Sequence, residues 1–191
     1  MDPCETYQLL RNLASPVVAV TSTWQGKANG MISNSVLRAS LVPTIPRLLV
    51  VISKRNLTHS LIWNSRTFAV HLLRTDQMEL VWRLGFFSGR DQQKLRDWEY
   101  VTKVTGSPIL KDALAFFDCR VVNAMDAGPG TCFLGTVVDA GKLSEGELLT
   151  SPYLRSHMPD AWRRLYDEQL REAQELGLQY GDRIDYTPWK G

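Results

Sequence analysis

The sequence predicts a mainly β fold, a β-barrel with a few appended helices, on three observations. Segments rich in β-branched and apolar residues recur at 16–24, 48–53, 67–73, 116–125 and 133–140. The helical patterns between them are short. No internal repeat and no linker-like stretch divides the chain, so strands dominate a single core.

The first segment, PVVAVTSTW, is followed by turn formers over residues 25–30, which together signal a hairpin. Mixed apolar and small polar residues then run over 31–40 until LVPTIP, where two prolines break any regular element. The apolar run LLVVIS at 48–53 reads as a buried strand that surfaces at Lys54. Residues 57–64 predict a short helix with Asn56 as N-cap and with Leu57, Leu61 and Ile62 on one face. TFAVHLL at 67–73 is a further strand, and 75–86 carries Met78, Val81, Trp82 and Phe86 at helical spacing. The last two strands flank an AGPGT loop. From residue 146 the chain is mainly one helix, at about 159–176, whose narrow apolar stripe suits a surface position or a partner. The expected organisation is a barrel domain over 1–145 and a helical extension over 146–191, packed on the barrel or on a partner subunit.

The 191 residues include 22 basic and 20 acidic side chains, a formal net charge of +2. The halves differ: residues 1–96 hold 12 basic and 5 acidic side chains, and residues 97–191 hold 10 and 15. At 44% hydrophobic residues the chain can bury a sizeable core, which excludes the disordered and collagenous classes. The apolar runs fall far short of the roughly 18 residues a membrane-spanning helix needs. The N-terminus opens with Asp2 and Glu5 rather than a basic and then apolar segment, so it does not read as a secretory signal. Three cysteines without pair spacing argue against a disulfide framework. A cytoplasmic location follows from these readings. His59, His71 and His157 have no metal-ligand spacing. No basic stripe interleaves with the six tryptophans, so neither nucleic acid nor membrane is an expected partner.

Two local patterns carry chemistry. SKRNLT places Ser53, Lys54, Arg55, Asn56 and Thr58 where a strand ends and a helix begins. Free N–H groups, hydroxyls and cations there can hold a phosphate together. Lys54 and Arg55 taken alone also fit a solvated turn, with Asn56 a plain cap. The second pattern, Asn29, Gly30, Met31, Ile32, Ser33, Asn34 and Ser35, offers a glycine for close approach and small polar side chains suited to the edge of a planar heterocycle. Ser and Asn near a turn also serve purely structural ends.

In this order, PVVAVTS, NGMISNSVLRASLVP and LLVVISKRNLTHSLIWNSRTFAVHLL resemble the flavin reductase-like family of FMN-binding split barrels. The likeness runs over about residues 13–140 and is most specific in its first 60. It implies an FMN-dependent oxidoreductase with FMN phosphate at Ser53, Lys54, Arg55 and Thr58 and the ring edge at 30–35. It implies NADH or NADPH as hydride donor, a second electron acceptor, and a homodimer. The Gly128-Pro129-Gly130 stretch is not a dinucleotide fingerprint, which fits a family that stacks the nicotinamide on the flavin. Many members carry Gly-Asp-His where this chain has Gly130-Thr131-Cys132, with no histidine nearby in sequence. That departure also admits an FMN-binding electron carrier or flavin store without NAD(P)H activity. Arg38 stands where small residues are usual, within reach of a phosphate or a partner subunit.

Overall fold

The computed structural model describes residues 3–10, 13, 16–181 and 183–191; Asp2, cited above for the N-terminus, lies outside them. Seven strands form one curled antiparallel sheet in the order β2-β1-β5-β8-β9-β4-β3. They are β1 (Val18–Trp24), β2 (Lys27–Ser33), β3 (Val36–Arg38), β4 (Arg47–Ser53), β5 (Thr67–Leu72), β8 (Ala115–Asp126) and β9 (Gly130–Lys142). A separate two-stranded ribbon pairs β6 (Tyr100–Thr102) with β7 (Pro108–Leu110). The helices are α1 (Pro3–Leu10), α2 (Leu57–Ser65), α3 (Met78–Gly85), α4 (Ser151–His157) and α5 (Asp160–Leu178). The predicted mainly β barrel with appended helices is what forms.

The predicted first hairpin is present, but its turn is only two residues. Gln25 and Gly26 both take positive φ, 49° and 75°, the backbone that matches the right-handed twist of the flanking strands. Ala28, Asn29 and Gly30, expected in the turn, therefore belong to β2, where Asn29 pairs with Ser22 and Gly30 with Thr21.

β1 is buried on both faces. Val18 and Val20 point into the barrel with Val50, Ile52, Phe68 and Phe133, while Ala19 faces Leu80, Leu84 and Leu110 outside it. This is why Val17–Val20 reads as a continuous apolar run rather than an alternating one. α3 covers that second face. It begins at Met78, later than the expected 75, because residues 74–77 are held otherwise: Thr75 donates its N–H to Glu147 O, and Gln77 accepts from the Arg74 N–H and donates to Asp112 O.

The extension holds two helices rather than one. Thr150 caps α4 by accepting from the Tyr153 N–H, and Pro159 precedes α5. α5 packs on α3 through Trp162 stacked on Trp82, ring centroids 4.6 Å apart, and through Gln169 donating to Phe86 O.

Candidate functional site

The two sequence patterns meet at the junction of β2, the end of β4 and the start of α2. Asn29, 3% exposed, donates from Nδ2 to Thr58 Oγ1 at 2.9 Å, and Thr58 is fully buried. Two of the predicted contact residues thus face each other rather than solvent, and they brace β2 against α2. A weaker contact, Asn56 Nδ2 to Met31 Sδ at 3.5 Å, closes the same seam. Asn56 holds the N-cap position of α2, but its side chain does not cap the helix, and no acidic residue stands in the first turn. The first N–H groups of α2 thus lack a side-chain acceptor from the cap. Gly30 lies against Leu84, whose methyl carbons would be 3.2 Å from an added Cβ.

Ser53 ends β4, and its hydroxyl accepts from the Arg55 N–H at 3.4 Å. Lys54 is committed to Asp126, 2.7 Å from Nζ, with the Tyr180 ring 5.4 Å from the same atom. Burial pulls the Asp126 pKa up, but the hydrogen bond from Lys54 and those from the Asp185 and Gly128 N–H groups outweigh it and hold the carboxyl below its usual range. Arg55 is exposed, and no carboxylate among the described residues lies within ion-pairing distance of it.

The fold adds two residues that the sequence patterns did not contain. Arg90, on the loop after α3, donates from Nη1 to Arg55 O at 2.6 Å and likewise has no acidic partner among the described residues. Its neighbour Gly89 packs so closely on Asn29 that an added Cβ would lie 2.2 Å from Oδ1. The second is His59, in the first turn of α2. Its Nε2 shares a hydrogen bond with Thr131 Oγ1 at 2.8 Å, and its ring stacks on Trp63 at 6.1 Å. The chain therefore does bring a histidine beside Gly130-Thr131-Cys132, from a helix 72 residues earlier. Burial, and after it the nearby Lys54 charge, lower the His59 pKa to about 4 against an upward pull from Asp126, so the ring is neutral at pH 7. Burial raises the Cys132 pKa, which keeps that thiol protonated.

From Ser53 the strand leads back to a large cavity of about 1760 Å³. Ile32, Ser33, Asn34 and Ser35 line it, as do Arg38 and Arg47 from β3 and β4 and residues of α4 and α5. Asn29, Gly30, Met31 and the 53–58 loop do not. The predicted ring segment thus splits: its first three residues are packing and brace, and its last four face open space. The register explains the split, since the Val51 N–H donates to Ser35 O and so sets the end of the segment beside the middle of β4.

A family model described as flavin reductase like domain matches residues 10–160. The chain is 33% identical over 146 residues to a high molecular weight rubredoxin of Moorella thermoacetica, covering 75% of this chain but only 63% of that protein's length. It is 35% identical over 133 residues to a ferric-chelate reductase (NAD(P)H) of Archaeoglobus fulgidus, covering 69% of this chain and 78% of the other. Among solved structures, flavin reductase PheA2 in its native state superposes with a TM-score of 0.66 at 30% identity, over 78% of this chain and 93% of that one.

Proposed function

The chain belongs to the flavin reductase like domain family, and on that premise we propose that it is an FMN-binding oxidoreductase that takes a hydride from NADH or NADPH and passes electrons to a second acceptor. The observation that carries this reading is the junction of β4 and α2: a helix start without a capping side chain or acidic residue stands beside two cations, Arg55 and Arg90, that lack acidic partners among the described residues. Such a donor set fits a phosphate monoester.

The bound flavin supplies the redox chemistry, accepting a hydride and releasing its electrons onward. The protein supplies position. In this reading Arg55, Arg90 and the α2 N–H groups hold the phosphate, and Ser53 orients the loop. The Asn29–Thr58 bond keeps β2 and α2 at a fixed spacing, so that Ser33, Asn34 and Ser35 meet the ring edge at the cavity wall. Lys54 takes part through Asp126, which fixes the loop rather than leaving a free charge for the ligand. The apolar cavity lining limits water around the reacting rings.

Residues 1–145 would form the flavin domain and 146–191 the extension. We also read the protein as a cytoplasmic homodimer. Leu37, Leu41 and Val42, exposed by 57%, 83% and 50%, lie together at the cavity rim and suit a second copy. No helix among the described residues is long and apolar enough to cross a membrane. A flavin carrier without NAD(P)H activity is the second reading, raised by Gly130-Thr131-Cys132 in the sequence and weakened by His59, which stands beside Thr131. The deciding experiment is an anaerobic titration of FMN-loaded protein: bleaching of the flavin absorbance by NADH or NADPH supports the reductase, and a yellow protein bleached by neither supports the carrier. Failure to bind FMN rejects both.

A further inference from the structure

Behind the phosphate loop, three parts of the chain meet at one carboxylate. Asp126 ends β8 and opens the turn to β9. Its Oδ1 accepts from Lys54 Nζ at 2.7 Å and from the Gly128 N–H at 2.9 Å, and its Oδ2 accepts from the Asp185 N–H at 3.0 Å. The Lys54 N–H in turn donates to Pro129 O, and Ser53 pairs with Gly130 across the ladder. The turn at 126–130 therefore backs the 53–58 loop, and the residues after α5 back the turn.

Those residues are held at few points. The Tyr180 ring lies 5.4 Å from Lys54 Nζ, and a Cβ added to Gly128 would be 3.5 Å from Gly181 O. Within 183–191 every residue is exposed except Trp189, which is half-buried against the main core cluster. Its ring lies 4.7 Å from the Arg66 guanidinium at the C-terminal end of α2, where Arg66 Nη1 is buried without a hydrogen-bond partner among the described residues. The segment thus crosses from Asp126, beside Lys54, to Arg66 at the far end of α2. With one half-buried side chain and one backbone bond to Asp126 it is marginally docked, so its docking responds to small changes in what it touches. The family model ends at residue 160 and does not include it.

We infer that residues 183–191 form a strap that positions the phosphate loop, with Trp189 as its anchor and Asp126 as its coupling point, so that strap docking and FMN binding reinforce each other. The inference rests on the flavin reading above. A docked strap holds the turn, the turn holds Ser53 and Lys54, and the loop meets the phosphate already ordered. By reciprocity, a phosphate bound at the loop orders the turn, and the strap then docks at less entropic cost. Asp126 and Trp189 are positioning residues here, and neither needs to touch the flavin.

The test uses the full chain, Trp189→Ala and Trp189→Phe. FMN and riboflavin are titrated by fluorescence, and trypsin cleavage after Arg183 is followed by mass spectrometry. Trp189→Ala should raise the Kd for FMN about fivefold, the lower end of typical coupling between sites, and leave that for riboflavin within about twofold, since riboflavin has no phosphate. Trp189→Phe, which keeps a ring for Arg66, should restore most of the FMN affinity. In the parent chain FMN should slow cleavage after Arg183 about fivefold and riboflavin should not. In Trp189→Ala cleavage should be faster and respond less to FMN, with circular dichroism unchanged. Should Trp189→Ala lose its fold, cleavage of the parent chain decides alone. Equal FMN affinity in the parent and Trp189→Ala, a riboflavin loss as large as the FMN loss, or cleavage indifferent to FMN overturns the strap while leaving the flavin reading intact. A parent chain that binds no FMN defeats the flavin reading and the coupling together.

Discussion

His59 Nε2 lies 2.8 Å from Thr131 Oγ1, tying the first turn of α2 to the start of β9 beside the 53–58 loop. The ring is also held between Trp63 and Phe133, with centroids at 6.1 and 5.4 Å. His59→Ala should lower the unfolding free energy by about 2 kcal/mol and Thr131→Val by about 1 kcal/mol. A double-mutant cycle in urea should return a coupling of about 1 kcal/mol. Purely additive effects would show that the two side chains do not communicate.

The cations of the loop should not contribute equally. Lys54 is already neutralised by Asp126, whereas Arg55 and Arg90 are not. Arg55→Ala and Arg90→Ala should each weaken FMN binding by about 1.5–3 kcal/mol, as for loss of a charge-assisted hydrogen bond, and Lys54→Ala by less. Riboflavin, which lacks the phosphate, should bind all these variants as it binds the parent chain. Fluorescence titrations that find FMN affinity unchanged in Arg55→Ala would remove this loop as the phosphate site.

The brace behind the loop is a matter of stability. Thr58→Val keeps the shape of the side chain but leaves the buried Asn29 Nδ2 without its acceptor, at a cost of about 1–3 kcal/mol. Thr58→Ser should restore most of it. Equal denaturation midpoints for Val and Ser would show that the hydrogen bond is not the reason a hydroxyl stands there.

Gly89→Ala tests how the Arg90 loop is seated. The added Cβ would meet Asn29 Oδ1 at 2.2 Å, and Asn29 cannot swing away without breaking its bond to Thr58. The loop must lift, and Arg90 with it. FMN affinity should fall nearly as far as in Arg90→Ala, in the same titration, while the core strands keep their hydrogen-exchange protection.

Strands β1, β4, β5, β8 and β9 and the α2 start were legible because period, β-branching and turn formers act locally, whereas the three-residue strands β3, β6 and β7 are too short to show a period. Asn29 was legible as a polar residue after a turn but not as a buried one: its facing depends on whether β2 begins at Lys27 or after Gly30, a shift that positive φ at Gln25 decides. Arg90, and the contact that His59 makes, were out of reach for another reason. Each meets its partner only through tertiary closure, Arg90 with Arg55 across 35 residues and His59 with Thr131 across 72, and no spacing rule encodes that.

His71 makes the acid side of the stability curve specific. It is fully buried in β5, where Nε2 accepts from the Leu110 N–H at 3.1 Å; Nδ1 must then carry the proton and donate to Ala19 O at 3.3 Å. Both nitrogens are matched only in the neutral ring. Burial lowers its pKa to about 4, against weaker upward pulls from Ala19 O and Asp112. The unfolded chain, with a histidine pKa near 6.5, binds the extra proton first, so stability is complete above about 6.5 and is lost as pH falls towards 4. The loss from His71 alone should reach about 3 kcal/mol by pH 4. His59, lowered in the same direction but partly exposed, adds a smaller share. Asp126 and Asp185, whose pKa values lie below the usual carboxylate range, give up their contributions only at lower pH, so the window from 6.5 to 4 belongs to the histidines. Urea denaturation at pH 7, 6, 5 and 4 should show the midpoint dropping through this window. His59→Gln should keep most of the drop, and a flat profile from 6.5 to 4 would mean that His71 is not held neutral by the β5–β7 contact.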